Sequence, residues 1–220
     1  RDLELYLNSP AVRFLVTTQH QEINHPKVIS LPLGLHFDAI KSGFIRQIKL
    51  FRANGLQRYP RKSQLLFLNF QCWDGNFRAN LSHALELRFR TFNSYGLLDS
   101  TLQFYHGLAR SKFVLCPSGM GVDSYRVWEA LMIGTVPVIE SVGGGWHRVF
   151  DGLPVLRVKR FEDLTPELLE RSYSSMLRKC WAGGWDYVRL TRRWWIDRVC
   201  GGDPRCWQRR RGDGWEDQGG

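Results

Sequence analysis

Nowhere does the chain hold an apolar run long enough to cross a bilayer, and its first residues, Arg1-Asp2-Leu3-Glu4, lack the apolar centre of a signal peptide. It opens without a methionine and is read as a portion of a longer protein, so neither absence assigns a compartment. Cysteine is sparse. The five thiols, Cys72, Cys116, Cys180, Cys200 and Cys206, show no CxxC spacing, which argues against a zinc ribbon, and their odd number leaves at least one unpaired within the chain. Cys200 and Cys206 flank Gly-Gly-Asp-Pro-Arg and either close a small loop in an oxidising compartment or stay as two thiols. Acidic residues are the minority, 21 against 31 Lys and Arg, for a formal net charge of +10. Such an excess suits an anionic partner, but no nucleic-acid-binding signature accompanies it, and part of it sits in a tail holding Arg209, Arg210 and Arg211. Internal repeats are lacking as well.

What is present suffices for one sizeable core: 220 residues, 43% of them hydrophobic. Two short β-rich runs, Arg13-Phe-Leu-Val-Thr17 and Val28-Ile-Ser-Leu31, precede the turn Pro32-Leu-Gly34, and a domain junction is expected near His36. Beyond it the apolar run Gln64–Asn69 reads as a strand covered on both faces. Helical spacing follows at Phe77, Leu81, Ala84, Leu85 and Phe89, and again at Leu102, Tyr105 and Leu108. Strands at Phe113–Cys116, Val136–Ile139 and Val155–Val158 then alternate with a helix over about Asp123–Ile133. Two more helices are expected, Pro166–Lys179 with Thr165 as N-cap, and Trp185–Val199. The alternation predicts an α/β fold, a Rossmann-like, mostly parallel sheet with helices on both faces and ligands at strand C-termini. The expected division is residues 1–36 as the remnant of an N-terminal domain and linker, 37–200 as the Rossmann-like domain, and 201–220 as a mobile tail.

The segment from Phe113 to Ile139 is a complete βαβ unit whose loop is rich in glycine. Ser118, Gly119 and Gly121 let the backbone approach a ligand, and Asp123 or Ser124 caps a helix whose free N–H groups face the same opening, which suits an anion. Arg126 and Glu129, three apart, share a face of that helix, while Tyr125, Trp128, Leu131 and Met132 mark an apolar stripe toward the core. On an arbitrary helix Arg126 and Glu129 would be a solvated ion pair. Behind a glycine loop at a strand's C-terminal end they flank the crevice, where an arginine can hold a diphosphate and a glutamate both hydroxyls of a ribose.

These residues carry a resemblance. Ser124-Tyr-Arg126-Val-Trp-Glu129-Ala130, then Gly134-Thr-Val-Pro137-Val-Ile139, is similar to the S-x-R-x-x-E-A and G-x-x-P-V-I pattern of the exostosin-like glycosyltransferases. Looser matches are His25-Pro-Lys27 into Leu31-Pro-Leu-Gly34, and Leu153-Pro-Val-Leu156 before Phe161-Glu-Asp-Leu164, so the resemblance spans about Thr17 to Val199. It implies the second half of a GT-B architecture that binds a nucleotide-sugar donor without a divalent metal or other cofactor and passes the sugar, with inversion, to a glycan or glycoprotein acceptor. By the same resemblance Arg126 meets the donor pyrophosphate, Glu129 the ribose, and Ser118–Val122 the phosphates or sugar. The general base belongs to the other domain, and the parent protein is expected to be Golgi-anchored with its domain in the lumen. A fragment lacking that domain is expected to be inactive. The alternatives are a nucleotide-sugar-binding or scaffolding protein without turnover and, from charge alone, a nucleic-acid-binding domain.

Secondary candidates each have a plainer reading. His147 and Arg148 lie beyond the Val136–Ile139 strand with Glu140 and either touch the donor or stand in water; Asn69, Gln71 and Asp74 follow the Gln64 strand, although Asp74-Gly75 is also an ordinary turn. Cys116 reads as a small apolar residue ending a buried strand, and Trp185, Trp194 and Trp195 as helix packing.

Overall fold

A computed structural model describes residues 2–18, 23–36, 62–72, 77–98, 101–119, 121–141 and 146–200; the side chains of residues 102, 146, 147 and 200 lie outside the description. Helix α1 (Asp2–Asn8) leads to β1 (Leu15–Thr17) and β2 (Val28–Ser30). Then come β3 (Gln64–Phe67), α2 (Phe77–Phe89), α3 (Thr101–Arg110), β4 (Ser111–Leu115), α4 (Tyr125–Ile133), β5 (Val136–Glu140) and β6 (Leu156–Val158), and last α5 (Pro166–Trp181) and α6 (Arg192–Cys200). Strands β3, β4, β5 and β6 form one parallel sheet in that order, while β1 and β2 pair in parallel as a separate two-stranded sheet. The chain is α/β and Rossmann-like, as the strand–helix alternation requires.

Side-chain alternation along β4 decides which helices cover which face. Phe113 and Leu115 pack with Leu66, Leu68 and Val138 against Leu81 and Leu85 of α2 and Leu169 of α5. Val114, and Cys116 just after the strand, turn the other way, with Phe67 and Ile139, toward Leu108 of α3 and Val127 and Leu131 of α4. Covering both faces is what permits unbroken apolar strands, each buried Leu or Phe contributing about 1.5–3 kcal/mol. At Gly107 helix α3 lies so close to β3 that a Cβ would stand 2.9 Å from the Phe67 ring. Helix α4 stops at Gly134, whose φ of 76° favours glycine, and Thr165 caps α5 by accepting from the Leu168 N–H at 3.2 Å.

Two expectations are corrected. On helix α4 Glu129 is as buried as Trp128, while Tyr125, assigned to the apolar stripe, is 39% exposed. The helix is wedged between α3, β5 and the chain after β6 and so is covered nearly all round. The expected Trp185–Val199 helix divides into a 3₁₀ turn at Tyr187–Leu190 and α6, because Thr191 is extended and takes the Trp194 N–H on its hydroxyl at 3.4 Å. Helix α1 was not expected from the sequence. Trp194 and Trp195 do pack edge to face, 4.5 Å between centroids, while Trp185 stands apart, donating to the Met176 carbonyl at 3.2 Å. Residues 37–61 and 201–220, with Asp74 and Met120, lie outside the described residues, and with them most of the expected domain junction and the tail.

Candidate functional site

The chain leaves β4 through Cys116 and Pro117, runs along the glycine loop and enters α4 at Ser124, which has extended backbone (φ −142°, ψ 146°) at the N-cap. An N-cap serine ordinarily accepts an N–H with its hydroxyl. Here Ser124 Oγ makes no such bond and is buried with no partner. The capping work falls to Asp123, whose carboxylate accepts from Ser124 N (2.7 Å), from Trp128 Nε1 (2.8 and 3.0 Å) and from Leu33 N (2.8 Å) across the chain. Burial nonetheless pushes the Asp123 carboxyl up to about 6, against the pull of those bonds. Asp123 therefore fastens the segment before His36 to α4, and its oxygens are already engaged.

One turn on, Arg126 and Glu129 border an open cavity of about 410 Å³ at the C-terminal ends of β3 and β4. Arg126 Nε is buried there with no hydrogen-bond partner, and its guanidinium carbon lies 5.9 Å from the Phe104 ring centroid. Burial draws the Arg126 pKa down, opposed by Cys116 and Glu129 and reinforced by Arg78. The Glu129 carboxyl is raised by burial, against Arg126, the Tyr105 hydroxyl that donates to it at 3.2 Å, and His36, whose charge and main-chain N–H both stabilise the carboxylate. The rest of the wall is aromatic and polar: the His36 ring meets Tyr125 edge-on at 5.0 Å, and Tyr95, Phe104 and Asn69 complete it. Asn69 donates to Ser94 Oγ at 3.0 Å. Among the described residues, Ser124 Oγ and Arg126 Nε are two of the three buried side-chain polar atoms without a partner, and both residues border this one cavity. A buried unpaired polar group costs about 1–3 kcal/mol, and here two belong to residues of one cavity wall.

The other sequence candidates separate. Ser118, Gly119 and Gly121 lie on the loop that leads to Ser124, Gly119 donating to the Gly121 carbonyl at 3.1 Å, but they are not on the cavity wall. Gln71 is exposed, and Glu140 accepts the Phe161 N–H at 2.9 Å, closing the chain after β6. Arg148 stands on a different cavity and donates to Asn24 Oδ1 at 3.1 Å. His147 belongs to the 3₁₀ turn Trp146–Phe150, its side chain outside the description, and Asp74 is outside it altogether. Burial lifts the Cys116 thiol to about 12, which leaves it a packing residue. Sequence reasoning missed Arg78, which donates to the Ser118 carbonyl, and the wall residues Tyr95, Phe104 and His36. Tyr105 was placed in the core by its spacing, correctly, but spacing could not show that its hydroxyl reaches Glu129.

The profile of a family described as the RXYLT1 C-terminal domain matches residues 87–145, a stretch that runs from the end of α2 past β5 and contains Tyr95, Tyr105, Ser124, Arg126 and Glu129. The relatives it matches carry the name of a glycosyltransferase. Ribitol-5-phosphate xylosyltransferase 1 of Danio rerio is 28% identical over 127 residues, covering 54% of this chain and 28% of that protein. The Mus musculus protein of that name is 23% identical over 185 residues (74% of this chain, 40% of that protein), and the Homo sapiens protein 24% over 178 residues (71% and 39%). The chain thus spans less than half the length of these curated relatives.

Proposed function

We propose that the cavity bordered by Arg126 and Glu129 binds the nucleotide part of a nucleotide-sugar donor, and that the intact protein is a glycosyltransferase of GT-B, exostosin-like organisation that passes the sugar to a glycan hydroxyl with inversion. The observation that carries the reading is the pair of unmatched polar atoms, Arg126 Nε and Ser124 Oγ, on one cavity wall. Arg126 takes the pyrophosphate, helped by the Ser118–Val122 loop and the free N–H groups at the start of α4. Glu129, steadied by Tyr105 and the His36 main chain, accepts the ribose hydroxyls, and the Tyr95–Phe104 side offers aromatic surface to the base. The printed name of the relatives supports xylose as the sugar and ribitol 5-phosphate as the acceptor. It also favours an enzyme over a donor-binding scaffold without turnover.

In transfer, the bond from the anomeric carbon to the diphosphate oxygen breaks as the acceptor oxygen bonds to that carbon, and the acceptor proton passes to a general base outside the residues assigned here. Negative charge gathers on the departing diphosphate. Arg126, preorganised in a water-poor wall with Arg78 close behind, compensates it, and we assign this work to guanidinium charge rather than to a divalent metal. The parent is proposed to act on the lumenal side of a secretory-pathway membrane. Calorimetric titration of the intact protein with UDP, GDP and their sugars tests the reading. Selective binding of one nucleotide, weakened by both Arg126→Ala and Glu129→Ala, supports it; a folded protein that binds none of them overturns it. Donor hydrolysis or transfer that persists in excess EDTA distinguishes the metal-free enzyme from a scaffold.

A further inference from the structure

A second cavity, about 100 Å³, lies between the β1–β2 sheet, the turn Trp146–Phe150 and α6. Three arginines from separate stretches of chain, Arg148, Arg189 and Arg198, border it, and among the described residues no acidic one does. Their arrangement is built rather than incidental. Arg189 donates through Nη2 to the Arg148 carbonyl at 2.9 Å and through Nη1 to the Asp151 carbonyl, which fixes its plane, yet its Nε is buried with no partner. Arg189 and Arg198 share one indole, their guanidinium carbons 4.7 and 5.5 Å from the Trp194 ring centroid. The nearby carboxylates are largely engaged elsewhere: Asp151 holds Arg157 at 3.0 Å and Asp197 holds Arg193 at 2.8 Å, with Asp186 contributing field but not bordering the cavity. The His25 ring, also on the wall, accepts the Lys27 N–H on Nδ1 at 3.2 Å, so its proton is on Nε2, turned toward Asn8.

Gathering guanidinium charge around a partly enclosed space is unfavourable where, among the described residues, no carboxylate stands on the wall to offset it. An oxyanion in the cavity would offset that charge. The planar forks of Arg148 and Arg198 suit two-point contact with a tetrahedral group, and a space of about 100 Å³ admits one such group but not a nucleotide. We propose that this cavity is a site for a phosphate group, separate from the cavity of Arg126 and Glu129. Ser30 on its rim leads directly through Leu31–Leu35 to His36 on the wall of the other, so one short stretch of chain borders both. The phosphate is either free or carried on a sugar or polyol.

Titration of the intact protein with inorganic phosphate, glycerol 3-phosphate and UDP, followed calorimetrically, tests the site. Arg148→Gln and Arg198→Gln are each expected to weaken phosphate binding by roughly tenfold or more while leaving UDP binding within about twofold. Arg193→Gln, on the same helix but paired with Asp197 away from the cavity, is expected to change neither. Tighter binding of glycerol 3-phosphate than of inorganic phosphate assigns the site to a phosphorylated sugar or polyol, and equal binding to free phosphate. The proposal is overturned if folded wild-type protein binds no phosphate, if Arg193→Gln weakens binding as much as Arg198→Gln, or if UDP displaces phosphate and Arg126→Ala abolishes its binding. The last result would place the anion in the nucleotide cavity. Both cavity variants are to be checked for an unchanged melting temperature, so that two independent positions report.

Discussion

The two ends of the four-stranded sheet differ in how completely their buried polar groups are satisfied. At the N-terminal end, Thr135 Oγ1 accepts from Lys62 Nζ at 2.9 Å and donates to the Leu108 carbonyl at 2.6 Å, and Ser111 Oγ donates to the Gly107 carbonyl at 2.7 Å. Every one of these side chains has an answering atom within the protein. At the C-terminal end, Ser124 Oγ and Arg126 Nε have none. At that second end Asn69, Asp123 and Glu129 do have protein partners, so the two unmatched atoms stand out where α/β sheets tend to bind ligands.

Substitutions at the two ends should accordingly separate binding from stability. The largest effect is expected from Arg126→Ala, with nucleotide affinity falling by a hundredfold or more, the scale of about 3 kcal/mol for a charge-assisted contact, and melting temperature not falling, since a buried charge is removed. A fall in melting temperature with affinity intact would invert the comparison. Next, Thr135→Val should leave nucleotide affinity unchanged but cost about 1–3 kcal/mol in denaturant titration, because Lys62 and two carbonyls lose their shared partner. Glu129→Gln keeps the Tyr105 contact and weakens nucleotide binding by roughly tenfold, measured by calorimetry, because a neutral amide accepts ribose hydroxyls less well.

Two further comparisons concern pH. Asp123 has its carboxyl raised to about 6 when folded, from a usual value of 3.8. The folded state therefore holds the proton more tightly than the unfolded state. The Asp123 contribution to stability is largest below about pH 4, declines as pH rises to about 6, and is flat above that, a change of up to about 3 kcal/mol. Asp123→Asn should lower stability overall and flatten that part of the melting profile. An unchanged slope between pH 4 and 6 would mean that Asp123 is not its source.

Lys62 offers the matching test at the other end. Burial lowers its pKa from 10.5 to about 7, so its contribution rises with pH between those values, and Lys62→Met should remove that rise in a melting series.

The parallel sheet was legible because its signal is local: apolar runs of strand length, such as Leu65–Leu68, need no partner to be recognised. The βαβ unit and the Arg126–Glu129 pair were legible for the same reason. What sequence could not show was convergence. His36, Tyr95 and Phe104 reach the cavity from segments far apart in the chain, and none carries a motif. Asp123 looked like a cap or a ligand residue because its spacing from α4 allows either; its bond to Leu33, ninety residues away, spends it on architecture. Arg148 was grouped with the donor residues by its place after β5, and only the path of the turn sends it to the arginine cavity. The break at Thr191 was hidden because Trp194 and Trp195 continue a helical rhythm through it.

The Asp123–Leu33 bond also couples two parts of the chain. The segment before Leu31 meets the Rossmann-like unit at the Trp146–Phe150 turn, where Arg148 donates to Asn24 Oδ1, and again where Asp123 bolts the following strip of chain to α4; His36 lies three residues beyond that bolt, against Tyr125 and Glu129. A pull on this strip would be felt first at the wall of the cavity that Arg126 and Glu129 border, because His36 and Asp123 sit on the two sides of the same bond.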